Sequence, residues 1–464
     1  MTPLDLDPLF KPSTLAIIGA SKDESKAGGF FIRALLNDGY KGTIYPINPN
    51  ESEIMGLKGY RSVLEVPGEI DLAVFALQAK ATLPAMTECS EKGVKFAVIH
   101  AAGFGELGGE GKMLQDQVVE VARRGGTRVV GPNCMGVHSP EVRLNTIVPE
   151  ATVPLPTEVG GTSFMGQSGW VTENLCYMGS ERGLRFSKVI SIGNQSDLSV
   201  EDFLGYFGAD PQTEIILAYV EGFKRPREFL DLAKEIAPRK PVVIWKAGRS
   251  EAGARAVASH TGALAGNAAV IDAVFSQTGV TPANSFYELL DLAVAFRTPF
   301  LPRGNRLGLL VEAGGGGAAG ADLAEALGLE LPRFPDAVKK KIADFIAGKI
   351  PPSPTQENPV DVVWVPPASR VPIWTTCPAM VLNEVDVLLI ITYAPLSEDW
   401  FLDTITQARD EAKKPIFLVP GHPTEQPLGI SLLVQRGIPT FLAAERAVKA
   451  IAALVERAKF LGQA

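Results

Sequence analysis

Apolar residues along this chain fall into short β-rich runs separated by longer segments where they return every three or four positions. The runs are Leu15–Ile18, Thr43–Ile47, Leu72–Leu77, Phe96–His100 and Arg128–Val130, then Thr162–Phe164, Lys188–Ile192, Ile215–Val220 and Val242–Trp245, then Leu307–Val311, Val387–Ile391 and Ile416–Val419. Such alternation predicts parallel sheets with helices on both faces, an α/β fold. Two proline-marked connectors, VPEATVPLPTEVG and RTPFLPRGN, interrupt it and predict three domains, 1–150, 151–300 and 301–464. EIILAYVEGF followed by KPVVIWKAGR in the second domain is echoed by DVLLIITYAP followed by KPIFLVPGHP in the third, so these two are expected to share a fold.

Composition narrows the setting. The 464 residues exceed one ordinary core, and 46% hydrophobic with 21% charged residues is the balance of a soluble globular protein. The longest apolar run, Val385 to Ala394, is too short and interrupted to span a bilayer. No basic region precedes the first apolar stretch, so no secretory signal is expected. Cys89, Cys134, Cys176 and Cys377 are scattered without a C-x-x-C pair, which disfavours a metal site or a disulfide framework and suits a reducing cytoplasm. A net charge of −8 gives no reason to expect nucleic acid.

The candidate chemistry sits where runs end. LAIIGASKDESKAGGFF is a strand, a turn at Gly19 and a helix opened by Gly28 and Gly29, whose first amides can hold phosphate oxygens. A turn of this kind also serves where it only packs a helix on a sheet. The glycine spacing is not G-x-G-x-x-G, and the second run ends YPINPN without the acidic residue a nicotinamide ribose would need. VIHAAGFGELGGEG and VVGPNCMGV again put Gly, Asn or Pro at the carboxyl edge of a sheet.

In the second domain, GTSFMGQSGWVTENL sets Ser168 and its neighbouring amides at the positive end of a helix dipole, and ISIGNQSDLS repeats the arrangement with Gly193, Asn194 and Ser196. LAYVEGF leaves Glu221 just after a buried run, where a carboxylate wants a partner. A histidine is the natural one, because a carboxylate on one ring nitrogen fixes the tautomer and leaves the other nucleophilic. One of only four histidines, His260, lies in ASHTGALAG among small residues, on what reads as a mobile glycine-bounded loop.

The order GAS, INP, AGFGE, GPNCMG, GQSG, GNQSDL, YVEGF and KAGRSEAGARAVASHTGALAG resembles that of the NDP-forming acyl-CoA synthetase α chains, relatives of the succinyl-CoA synthetase α subunit. The resemblance covers essentially the whole chain. It implies an N-terminal Rossmann-like CoA-binding domain followed by two flavodoxin-like domains. It further implies that Gly19, Ala20, Ser21, Asn48, Pro49, Gly103, Asn133 and Cys134 serve coenzyme A, that His260 carries phosphate with Glu221 as its orienting partner, and that Gln167, Ser168, Gly169, Gly193 and Asn194 hold the phosphate.

Two departures stand out. Relatives often carry Lys after the Asn-Pro pair, where this chain has Asn50 and Glu51, with Lys26, Lys41 and Lys58 as candidate substitutes; and Thr-Asn before the glycines of the third domain is here Glu312 and Ala313. The resemblance implies the reaction acid + CoA + ATP ⇌ acyl-CoA + ADP + phosphate, and Met135, Val137 and Trp170 are candidate neighbours of the acid. No Walker motif and no ATP-grasp segment is present, so ATP/ADP and Mg²⁺ are expected on a separate β subunit in an α2β2 assembly. The competing expectation is a non-catalytic CoA or acyl-CoA sensor, which would need neither His260 nor Glu221.

Overall fold

The first apolar runs build one parallel sheet. β1 (Thr14–Ile18), β2 (Thr43–Ile47), β5 (Leu72–Phe75), β6 (Phe96–Ile99) and β7 (Arg128–Val130) lie in the order β2-β1-β5-β6-β7, and β3 (Glu53–Ile54) pairs with β4 (Leu57–Lys58) in a small separate hairpin. β5 and β6 are buried along their whole length, which is why they read as continuous apolar runs and do not alternate. Because β1 lies between β2 and β5, the chain leaves it to both sides, and a crevice opens between the carboxyl ends of β1 and β5. The computed structural model describes residues 4–147, 155–261, 267–312, 314–352 and 355–464, and of residues 258–261 the backbone alone.

The second sheet repeats this winding. β10 (Thr162–Gly166) has β11 (Phe186–Ser191) on one side and β12 (Ile215–Val220), β13 (Val242–Lys246) and β14 (Thr281–Ala283) on the other. Two strands that directly follow the first sheet in sequence, β8 (Val137–Ser139) and β9 (Leu144–Asn145), join this second sheet, with β8 antiparallel to β11. The third sheet has β15 (Leu307–Val311) between β16 (Val360–Asp361) and β17 (Val387–Thr392), with β18 (Ile416–Pro420) beyond, all parallel. The sequence echo thus reflects a shared order in which the first strand lies between the second and the third.

The chain divides into two compact units, Met1–Tyr177 with Arg185–Asn284, and Met178–Leu184 with Ser285–Ala464. Within the first, the two sheets share one apolar core containing Leu15, Val74, Ile190 and Ile216. The short helix Asp7–Phe10 adds Phe10, whose ring stacks on Tyr206 at 5.3 Å and meets Phe203 edge-on at 6.3 Å. Asp197, in the turn after β11, has a fully buried side chain that accepts from Arg128 Nε at 2.8 Å and Val129 N at 2.9 Å, pinning that turn to β7. In the second unit, Asp291 takes Arg182 and Arg446, each at 2.6 Å, and thereby holds the segment 178–184. Among the described residues no helix is long and apolar enough to cross a membrane.

Candidate active site

The site is built at the carboxyl edge of the second sheet, at the switch between β10 and β12. Gln167 directly follows β10, and its side-chain oxygen accepts the N–H of Glu221 at 2.6 Å and of Gly222 at 3.0 Å, just after β12. Ser168 caps the helix Gly169–Glu181, its hydroxyl accepting from Val171 N at 3.4 Å. Glu221 is buried, and Oε1 receives the Tyr219 hydroxyl at 3.3 Å. Beneath it, Lys246 ends β13 and donates to the carbonyl oxygens of Glu221 at 2.8 Å and Ala247 at 2.5 Å. Burial disfavours the Lys246 ammonium and lowers its pKa, and the nearby Glu221 carboxylate opposes the shift.

Two turns from different sheets interlock beside this group. Asn194 N donates to Pro132 O at 3.0 Å, while Ser196 donates to Gly131 O through its amide at 3.1 Å and its hydroxyl at 2.8 Å. Gly193 has φ +50, and a Cβ there would lie 2.2 Å from Pro132 O and 2.5 Å from Asn133 O, so the approach requires glycine. The Asn194 amide nitrogen donates to Glu106 Oε2 at 2.6 Å and to Gln115 Oε1 at 3.0 Å. Burial opposes ionisation of Glu106, but the donations from Asn194, Gly103 N and Phe104 N outweigh it and hold the carboxyl below its ordinary range. Gln195 closes the circle, donating to Gly222 O at 3.0 Å.

Of the sequence-derived residues, Gln167, Glu221, Gly193, Asn194, Asn133 and, through Glu106, Gly103 therefore meet in one constellation. Gly169 faces Met135 so closely that a Cβ would lie 2.6 Å from Met135 Cγ. Cys134 is also close in the chain, but its thiol donates to Ile99 O at 3.3 Å, and burial pushes its pKa up to about 12. Val137 is buried, whereas Trp170 is exposed.

His260 lies in the helix Glu251–Thr261, which corrects the expectation of a loop up to this residue. Alanine at 252, 254, 256 and 258 favours helix, and Ser250 starts it by accepting Gly253 N at 3.1 Å. The helix packs against the turn Gly105–Leu107 that contains Glu106. The His260 side chain and residues 262–266 lie outside the described residues.

A second group of expected residues gathers at the first sheet. The amides of Gly19 and Ala20 both donate to Ile47 O at 3.1 Å, and Asn48 Nδ2 donates to Ala20 O at 2.7 Å. These bonds shape the turn, and the Ser21 hydroxyl accepts Asp23 N at 3.0 Å ahead of the helix Ala27–Asp38. Gly28 lets that helix start against the turn, since a Cβ would lie 2.0 Å from Gly19 O. Pro49 is exposed. A cavity of about 600 Å³ opens beyond the carboxyl ends of β5 and β6, lined by Ala27, Gln78, Lys80, His100 and their neighbours. His100 Nε2 is sealed beside Gly136 without a hydrogen-bond partner, and burial pulls the imidazole pKa down to about 3, so it is neutral.

Residues 13–140 match the family model of a CoA binding domain and residues 159–296 that of a succinyl-CoA ligase like flavodoxin domain. The chain is 37% identical over 98% of its length, and 99% of the relative's, to the acetate–CoA ligase [ADP-forming] II subunit alpha of Pyrococcus furiosus. It belongs to the family of ADP-forming acyl-CoA synthetase alpha subunits. Another member, the acetate–CoA ligase [ADP-forming] I subunit alpha of the same organism, is 36% identical over 98% of both chains. A solved structure of dinucleotide forming acetyl-coenzyme A synthetase 1 from Ca. Korarchaeum cryptofilum, in complex with phosphate and ADP, superposes with a TM-score of 0.86 at 35% identity. It covers 99% of this chain and 98% of that one.

In this synthetase alpha chain, the residues bracing the constellation that the motif reading missed are Glu106, Gln115, Gln195 and Lys246. Glu106 was legible as the acid of AGFGE, whereas Gln115 lies in mid-helix and carries no local signal. The third domain's Glu312 is also explained. Its carboxylate accepts Val365 N at 3.0 Å and both Thr392 Oγ1 and Tyr393 N at 2.6 Å, tying together the chain after three adjacent strands. It performs for the third sheet the bracing that Gln167 performs for the second. Ala313 lies outside the described residues.

Proposed function

We propose that this chain is the alpha subunit of an enzyme that converts a small carboxylic acid, CoA and ATP to acyl-CoA, ADP and phosphate. Acetate, the acid named for the Pyrococcus furiosus relatives, is the first candidate. In this reading His260 takes a phosphoryl group and passes it to the carboxylate oxygen of the acid, restoring the imidazole and forming an acyl phosphate. The CoA sulfur then attacks the acyl carbon, the bond to phosphate breaks, and the thiol proton leaves with the phosphate. Coenzyme A lies along the first sheet, where the crevice, the helix start at Ala27 and the neutral His100 suit a long polar substrate.

The observation that carries this reading is the constellation of Gln167, Glu221, Gly193, Asn194 and Glu106 beside the His260 helix. It offers two helix starts and fixed donors to phosphoryl oxygens and a buried carboxylate to orient an imidazole, which suits a reaction governed by positioning and electrostatics. ATP and Mg²⁺ belong to an ATP-grasp beta partner, with α2β2 as the assembly and the cytoplasm as the setting. A regulatory CoA-binding protein would have no use for the constellation of Gln167, Glu221 and Asn194.

The test is ADP production by the chain purified with its partner, given Mg-ATP, CoA and a panel of acids. Dependence on all three substrates supports the assignment. CoA binding without turnover of any acid, by a partnered preparation that binds ATP, refutes it and favours the sensor.

A further inference from the structure

Side chains from three other strand ends hold the turn that carries Glu221. Gln167, after β10, accepts the N–H groups of Glu221 and Gly222, and Gln195, after β11, donates to Gly222 O at 3.0 Å. Both are neutral amides. The third side chain is that of Lys246, the last residue of β13, which lies in register with Val220 at the end of β12. Lys246 is only 4% exposed, and its Nζ donates to Glu221 O at 2.8 Å and to Ala247 O at 2.5 Å. Burying an ammonium costs more than burying an amide, so a lysine here calls for a reason beyond closing a strand end.

The two carbonyls supply that reason. They stand at the carboxyl ends of two adjacent strands, just beyond the bond from Ala247 N to Val220 O at 2.9 Å. One belongs to the residue whose carboxylate is buried at the site, and the other opens the segment that leads into the helix Glu251–Thr261. That segment packs on the helix it precedes, since a Cβ on Gly248 would lie 3.2 Å from Val257 Cγ2 and 3.7 Å from Ala254 Cα. Arg249 then anchors it to the helix Ala268–Thr278, with Nη2 at 2.6 Å from Asp272 Oδ1. Lys246 thus ties the backbone of Glu221 directly to the root of the His260 helix. Three donors on one nitrogen let it hold two carbonyls of different segments at once, which an apolar side chain cannot do.

We propose that Lys246 is a positioning residue for phosphoryl transfer, a clamp that fixes the root of the His260 helix against the Glu221 turn so that imidazole and carboxylate meet in one geometry. The proposal rests on the reading of His260 as the phosphate carrier. Lys246 acts through Glu221 and the helix and does not itself meet the phosphoryl oxygens. The Glu221 carboxylate opposes the loss of charge that burial favours in Lys246, which supports the ammonium with all three of its donors.

The test is the rate at which acid-labile phosphate enters the peptide containing His260 after rapid mixing with Mg-ATP. The chain, purified with its partner, is compared as native protein, Lys246→Met, Glu221→Gln and the double variant, with calorimetric titration of coenzyme A on each. Lys246→Met keeps the side-chain length and leaves two carbonyls without their donor, which a folded chain tolerates better than orphaned N–H groups. It should be phosphorylated about tenfold or more slowly than native protein, with coenzyme A affinity held within about twofold. Adding Lys246→Met to Glu221→Gln should slow the reaction no further, because both changes remove the same function. A native rate in Lys246→Met, a double variant slowed by the product of the two single losses, or an equal loss of coenzyme A affinity overturns the proposal. Should Lys246→Met not fold, Lys246→Gln, which keeps an amide donor on a shorter stem, is judged by the same criteria. A native, partnered enzyme that turns over acid without phosphate on His260 refutes the phosphate-carrier reading itself.

Discussion

The side-chain oxygen of Gln167 accepts the backbone N–H of Glu221 at 2.6 Å and of its neighbour Gly222 at 3.0 Å. One side chain after β10 therefore sets the turn after β12 and ties the helix start at Gly169 to the buried carboxylate of Glu221. Gln167→Ala would leave two N–H groups without their acceptor in a buried place, at a cost of about 1–3 kcal/mol. The expected outcome is a lower denaturant midpoint and a loss of phosphoryl transfer of about tenfold or more. Ser168→Ala removes only a long capping bond and should cost about 0.5–1 kcal/mol. Chemical denaturation of both variants checks the order.

Gly193 is where two turns touch backbone to backbone. Gly193→Ala combines φ +50 with a Cβ 2.2 Å from Pro132 O, so the left-handed penalty of about 1–2 kcal/mol is the lower limit of its cost. Asn194 would be displaced from Glu106 as the turns part. Thermal unfolding and phosphorylation assays should both fall, whereas Gly56→Ala, which also has positive φ but open space around it, should affect stability alone.

Glu106 should couple stability to pH with a definite sign. Its folded pKa lies below the ordinary 4.5, so its stabilisation is fully present above that value and is lost as pH falls through the lowered folded value. Native protein should therefore be more stable than Glu106→Gln at neutral pH, and the gap should close in the acid range below 4.5. Unfolding midpoints measured for both proteins from pH 7 downward test this; a constant gap contradicts it.

Cys134 is placed as a packing residue, despite its position in the GPNCMG motif. A buried thiol whose pKa is pushed up to about 12 carries almost no thiolate at neutral pH. Cys134→Ala should keep turnover within about twofold, and the folded protein should resist alkylation at this residue. Rapid alkylation, read by peptide mass spectrometry, would show the thiol to be accessible.

The strands were legible because most are buried on both faces and so stand out as continuous apolar runs, and the helices because their apolar positions recur at helical spacing. β16 was not legible as a strand, since Val360–Asp361 is too short to form a run. Nor was the pairing of β8 with β11, which depends on contacts across the fold. In the site, the glycine turns announced themselves, but their bracing did not. Gln115 and Gln195 are ordinary polar residues until the fold brings them to Asn194 and Gly222, and Lys246 reads as the end of an apolar strand. The helix through His260 was missed because glycines and a lone histidine outweighed the alanines in the reading of that segment.

The central claim is that His260 carries phosphate while Glu221 orients it. The most direct measurement is phosphopeptide mass spectrometry under alkaline conditions on the chain purified with its partner and treated with Mg-ATP. Native protein, His260→Ala and Glu221→Gln would be compared. The account predicts an acid-labile phosphate on the peptide containing His260, discharged by CoA together with an acid, absent from His260→Ala and strongly reduced in Glu221→Gln. A fully active native enzyme that never carries phosphate on that peptide would contradict it.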